Sequence, residues 1–196
     1  MLNFRYIAKT GLLSIAVLFS VWASGQSNTA SSLISGSLDN GSLVGSAVYS
    51  VGFRNFYEIS LYREEIIEGR DERRTPYALE ISYLRDHASD YLADRIVSQI
   101  RVSGYTSEIR LAQWHMQLTR MLPDFSDGSK FVAVFNQARE THFYHNGIHI
   151  GQIRDPAFGW RFMEIWLGED TSESRIRDDL TGGSESANPL NEAPNR

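Results

Sequence analysis

The chain of 196 residues contains no cysteine. That excludes a disulfide scaffold, a Cys-ligated zinc or iron–sulfur centre, a thiol nucleophile and a lipidated N-terminal cysteine. Lysine is nearly missing, with Lys9 and Lys130 the only two. Positive charge is carried by scattered arginines, and no basic block is longer than Arg73-Arg74. With 19 basic residues against 24 acidic ones, a formal net charge of −5, the chain lacks the clustered cations by which a general nucleic-acid binder neutralises phosphates. It also lacks any apolar run long enough to span a bilayer as a helix, which takes about 20 residues. What remains is 42% hydrophobic and 22% charged, enough to bury the core of one domain without staples.

The N-terminus carries a targeting pattern. Arg5 and Lys9 precede Gly11 to Ala23, an uncharged run of 13 residues, and small residues follow at Ala23, Ser24 and Gly25. This is the order of a secretory signal peptide, predicted over residues 1–25 with cleavage after Ala23 or Gly25. Loss of Arg5 and Lys9 leaves 17 basic residues against 24 acidic ones, a net charge of −7. The expectation is an exported protein, periplasmic or secreted, with no stable membrane span after cleavage. Residues 26–43 are rich in Ser, Gly and Asn and read as a flexible linker. Residues 183–196, with two prolines among polar residues, read as a disordered tail. The domain is expected over residues 44–182.

Within the domain the hydrophobic period changes along the chain. Ala47–Phe53 and Phe56–Tyr62 are rich in β-branched and aromatic residues, predicting two strands joined by a turn at Arg54-Asn55. Tyr77–Arg85 alternates, placing Tyr77, Leu79, Ile81 and Tyr83 on one face. Two helices follow. Ser89 is the expected cap of the first, with Leu92, Ile96 and Ile100 as its stripe and Gly104 as its stop. Thr106 or Ser107 caps the second, whose stripe is Leu111, Trp114, His115, Leu118 and Leu122, with Pro123 ending it.

A strand is then expected over Lys130–Asn136, and Asn146-Gly147 predicts a two-residue type I′ hairpin pairing His145 with Ile148, Tyr144 with His149 and Phe143 with Ile150. Asp155-Pro156 supplies a cap and a first-position proline for a third helix with Phe158, Phe162, Ile165 and Trp166 buried and Gly168 as C-cap. Ser174–Leu180 adds a short amphipathic turn. The predicted fold class is α+β: a largely antiparallel sheet with helices packed on one face.

These pieces in this order resemble the chalcone isomerase-like proteins of bacteria. The resemblance is carried by Val44–Tyr62, Pro76–Asp86, Trp114, His142–Gly168 and Thr171, and covers nearly the whole domain. It implies an open-faced sandwich with a cleft between sheet and helices. True chalcone isomerases cyclise a phenolic chalcone, whereas relatives of the same fold bind fatty acids without turnover. The enzymes need a guanidinium on the first strand with Tyr and Thr groups nearby. The corresponding residues here are Val48, Tyr49 and Ser50, and none is arginine.

Among candidate site residues, Arg85 follows Tyr83, Ile81 and Leu79 along one strand face. An arginine at the end of an apolar row suits an oxyanion, because its fork binds carboxylate or phenolate bidentately. The alternative is a structural ion pair with Asp86 or Asp90. Tyr49, on the first strand, is expected to line the same cleft. Trp114 and Trp166 read as core, and His115 as a core-edge histidine. His142, Tyr144 and His149 share a face of the hairpin, but no third acidic or imidazole ligand falls beside them in sequence, so no metal is expected. No nucleophile triad, phosphate loop or paired-carboxylate motif is present, and no cofactor is expected.

Three readings stand at this stage: an exported binding protein for a small amphipathic ligand such as a fatty acid, an isomerase or lyase acting on a phenolic or enone substrate, and a non-catalytic interaction protein of the cell envelope. No catalytic residue and no oligomeric state is assigned.

Overall fold

The structure is a computed structural model. It describes residues 32–66, 68, 71, 74–169, 171 and 174–182. The predicted signal peptide and polar tail lie outside the described residues.

Six strands form one antiparallel sheet in sequence order: β1 (Ser42–Val51), β2 (Arg54–Arg63), β3 (Tyr77–Tyr83), β4 (Lys130–Phe135), β5 (Thr141–His145) and β6 (Ile148–Ile153). Two helices, α1 (Ser89–Val102) and α2 (Glu108–Met121), intervene between β3 and β4, and α3 (Pro156–Leu167) and α4 (Ser174–Leu180) follow β6. The class is α+β, as the change of period predicts.

β3 shows why the sheet is a two-sided wall. Tyr77, Leu79, Ile81 and Tyr83 face the helices and are all buried, together with Phe131, Ala133 and Phe135 of β4. On the reverse face Ala78, Val132 and Val134 are covered by Ile34 and Leu38. Helices therefore do not occupy one face alone. Residues 32–37 are helical, so the described part of the segment read as a linker over residues 26–43 packs on the second face. Ile34 and Leu38 stand four apart, so one helical turn presents both to the sheet.

Local signals are obeyed where they concern a single turn. Asn146 and Gly147 have φ of 49° and 81°, as a type I′ turn demands. Asp155 accepts from the Ala157 N–H at 3.0 Å, capping α3 with Pro156 at the helix start. Three details differ from the sequence reading. The β1–β2 turn is Gly52-Phe53, two residues earlier than Arg54-Asn55, because Gly52 takes a φ of 59° that costs glycine nothing. Neither Ser89 for α1 nor Ser107, the N-cap residue of α2, makes a side-chain cap bond. The cap residue of α1 is Ala88, and the Ser89 N–H donates instead to Asp124 Oδ1 at 2.9 Å. Phe143 pairs with Gly151 rather than Ile150, since Ile150 is an extra, bulged residue.

The helical layer is locked to the sheet by close approach. The buried Tyr77 hydroxyl donates to the Gly159 carbonyl. Trp114 is buried, stacks on Tyr105 with ring centres 5.0 Å apart, and donates to Asp155 Oδ2 at 3.2 Å. His115 meets Asp94 at 2.6 Å, joining α2 to α1 at the rim of the core.

Candidate functional site

Between α1, α3 and the β1–β3 end of the sheet lies a cavity of about 300 Å³. Protein interiors are otherwise packed to crystal density, so a void of this size requires walls that resist collapse. Aromatic rings provide them. Tyr49 and Tyr57 stack with centroids 4.9 Å apart and planes at 15°. The Tyr57 hydroxyl accepts from Trp166 Nε1 at 3.0 Å, and Tyr57 also meets Tyr83 edge-on at 6.4 Å. Tyr83 is wedged against Phe125 at 4.8 Å. The backbone contributes as well. Tyr49 pairs with Tyr57 and Ser50 with Asn55, leaving Phe56 as the extra residue of a bulge. The bulge turns consecutive residues Phe56 and Tyr57 both toward the cavity.

The α1 face explains where the opening comes from. Its deep row, Ala93, Val97 and Ile100, is buried. The adjoining row, Leu92 and Ile96, is only half-buried and lines the void with Tyr91, Arg95 and Gln99. Arg95 is the one permanently charged side chain among the described residues that line the cavity. Its Nη2 donates to the Tyr49 hydroxyl at 3.2 Å, and its guanidinium carbon lies 6.0 Å from the centre of that ring. Val51, Tyr91 and Arg95 are the exposed members of the lining. The mouth therefore lies between the β1–β2 hairpin end and the first half of α1.

Ionisation follows burial. Burial, with Tyr57 beside it, pushes the Tyr83 phenol well above its ordinary range, so it stays a neutral donor. Burial also lowers His87 below the usual imidazole value, against an opposing pull from Asp86. The site is thus one guanidinium among phenols, an imidazole and apolar groups.

Of the residues the sequence singled out, Tyr49, Tyr83 and Ile81 line the cavity, and Leu79 and Arg85 do not. Leu79 is fully buried in the core. β3 ends at Tyr83, and the Leu84 N–H donates to the Phe56 carbonyl as the chain turns away. Alternation therefore stops short of Arg85. Arg85 is exposed, donates from Nε to the Asn55 carbonyl at 3.0 Å, and lies 5.8 Å from the Phe56 ring centre. The ion pair with Asp86 or Asp90 is not formed either. Asp86 accepts from the Asp127 N–H, and Asp90 from the Tyr91 N–H.

Sequence reasoning missed Arg95 and Gln99. The signal was a second row, Tyr91, Arg95 and Gln99, spaced i, i+4, i+8 beside the apolar one. Trp166 serves both as core and as cavity wall. On the reverse face His142 and His149 do meet, at 3.4 Å, and Tyr144 packs edge-on to His149. Glu140 approaches the far nitrogen of His142 at 3.3 Å, a carboxylate the sequence reading had not placed on that face. Among the described residues no three His, Asp or Glu side chains converge as metal ligands.

A six-stranded antiparallel sheet with helices over an aromatic cavity defines the class, a sheet-and-helix sandwich with an internal ligand-sized pocket. The chain belongs to the chalcone isomerase-like family, whose model matches residues 36–182. Among solved structures it is similar to a fatty-acid binding protein of Arabidopsis thaliana, with 10% identity, a TM-score of 0.58, and coverage of 74% of this chain and 88% of that one. At that identity the likeness concerns the fold. No curated protein matches the chain in sequence. No helix among the described residues is long and apolar enough to cross a membrane.

Proposed function

We propose that this is an exported binding protein that holds a small amphipathic acid, of the fatty-acid class, between sheet and helices without turning it over. The observation that carries the reading is the pairing of Arg95 and Tyr49 at the mouth of an otherwise neutral, largely apolar cavity. A carboxylate at the mouth gains a charge-assisted partner while remaining near water, and an acyl tail leaves water along Ile81, Leu92 and Ile96. A volume of about 300 Å³ sits at the small end of ligand pockets and favours a short or medium chain. Similarity to a protein described as fatty-acid binding supports the same class. Export rests on the targeting pattern of residues 1–25. Mass spectrometry of lipid extracted from the natively exported protein tests the reading. A stoichiometric aliphatic acid supports it, and protein that is ligand-free and refuses added acid contradicts it.

A second reading has its own observation. Val48, Tyr49 and Ser50 include no arginine, and Arg95 of α1 bonds Tyr49 on that strand. A guanidinium beside a phenol suits a phenolate or enolate, so an intramolecular lyase acting on an enone is the alternative. Turnover of a hydroxychalcone, lost in Arg95→Gln, would establish it in place of passive binding.

A further inference from the structure

The apex of the β1–β2 hairpin has no structural reason to be aromatic. Gly52-Phe53 is a two-residue turn, and Phe53 is fully exposed. A phenylalanine at such a tip leaves a large apolar surface in water that a covering surface would remove. Its neighbours share the pattern. Val51 and Tyr91, both at the cavity mouth, remain 56% and 53% exposed.

The charge around this apex departs from that of the chain. Arg54 follows Phe53 as the first residue of β2. Arg85 is held against the hairpin by its bond to the Asn55 carbonyl, and Arg95 by its bond to Tyr49. Asp94, next to Arg95, is turned to His115 at 2.6 Å, and Asp86 and Asp90 accept from the backbone N–H groups of Asp127 and Tyr91. Three guanidiniums thus stand on or against the hairpin that carries the exposed aromatic tip, on a protein of net charge −5. Aromatic residues flanked by arginines suit the interface of a bilayer, where rings sit at headgroup depth and cations meet anionic headgroups.

We propose that the Phe53 apex docks the cavity mouth onto an anionic lipid surface, so that an acyl ligand passes between bilayer and cavity without crossing bulk water. The transfer step rests on the ligand reading above, whereas the docking step does not. The mouth and the docking tip are the same end of the molecule. A lipid-facing tip leaves Val51, Tyr91 and Arg95 at the headgroup boundary, where a fatty-acid carboxylate already resides.

The test is flotation of the purified protein with vesicles of phosphatidylcholine, with and without phosphatidylglycerol, together with titration of a fluorescent fatty acid in vesicle-free buffer. Wild type should float with the anionic vesicles, less so in high salt. Phe53→Ser and Arg54→Glu should each weaken flotation by about tenfold or more, with vesicle-free fatty-acid affinity and melting temperature unchanged, since neither residue lines the cavity. A wild type that floats with neither vesicle, or a Phe53→Ser variant that floats as well as wild type, overturns the proposal. So does wild type that self-associates through Phe53 without binding vesicles, which would assign the tip to a second copy. Flotation without any acyl binding would uphold docking and refute the ligand reading.

Discussion

Arg95 on α1 donates to the Tyr49 hydroxyl on β1 at 3.2 Å, with its guanidinium carbon 6.0 Å from the centre of the same ring. The contact ties the mobile end of a long side chain to the stiffest part of the cavity wall, because Tyr49 is itself stacked on Tyr57. A cation placed this way is pre-organised for an incoming anion and loses little further rotamer freedom on binding.

Cavity size is the first consequence to test. Ile96 is half-buried and lines the void. Ile96→Phe should place a ring in the space the proposed acyl tail would fill. Fatty-acid affinity should fall by about tenfold or more, equivalent to about 1.4 kcal/mol, while the melting temperature holds or rises. A titration and a thermal melt of the same preparation check both halves.

Gly159 is where α3 lies against the sheet. A Cβ there would sit 2.3 Å from Phe135 Cδ2 and 2.9 Å from Thr141 Oγ1. Gly159→Ala should therefore force the helix off the sheet and destabilise the fold by about 1–3 kcal/mol, read as a shift in the urea midpoint.

The hairpin turn gives a prediction of different origin. Gly147 has a φ of 81°, a region that a β-branched residue resists. Gly147→Val should lower stability by at least about 1 kcal/mol, and an unchanged denaturation midpoint would contradict the turn assignment.

Much of the fold was legible because the signals were local. Asn146-Gly147 and Asp155-Pro156 specify their turn and cap within two residues, and the Tyr77–Tyr83 alternation fixes its face because Glu80 and Ser82 on the reverse side are polar and only partly buried. Several of the misses depend on a partner or a neighbouring strand that local pattern does not show. Asp124 satisfies the Ser89 N–H from 35 residues away. The Phe56 bulge shifts the β1–β2 register, and with it which consecutive residues face the cavity. Arg85 followed a correct alternation one step past the end of its strand. Arg95 was hidden because an arginine on an amphipathic helix ordinarily faces water, and only the void beneath α1 makes it part of a site.

Burial lowers both His87 and His145 below the usual imidazole range. A histidine whose folded value is depressed favours the neutral form, so the unfolded chain takes up protons first as pH falls. Its stabilising contribution is complete above the unfolded value of about 6.5 and is lost as pH drops below that toward the folded value. The melting temperature should decline between neutral pH and mildly acidic pH. The double variant His87→Gln/His145→Gln should show a shallower decline, and a slope equal to wild type would contradict the assignment.

The central claim is that Arg95, not Arg85, receives the acidic head of the ligand. The direct measurement is a titration of one fluorescent fatty acid into wild type, Arg95→Gln and Arg85→Gln, each also melted without ligand. Loss of a hydrogen bond to a charged group costs about 1.5–3 kcal/mol, so Arg95→Gln should bind at least about tenfold more weakly with its apo melting temperature nearly unchanged, and Arg85→Gln should bind as wild type does. Equal affinity of wild type and Arg95→Gln, or a loss confined to Arg85→Gln, would contradict the account.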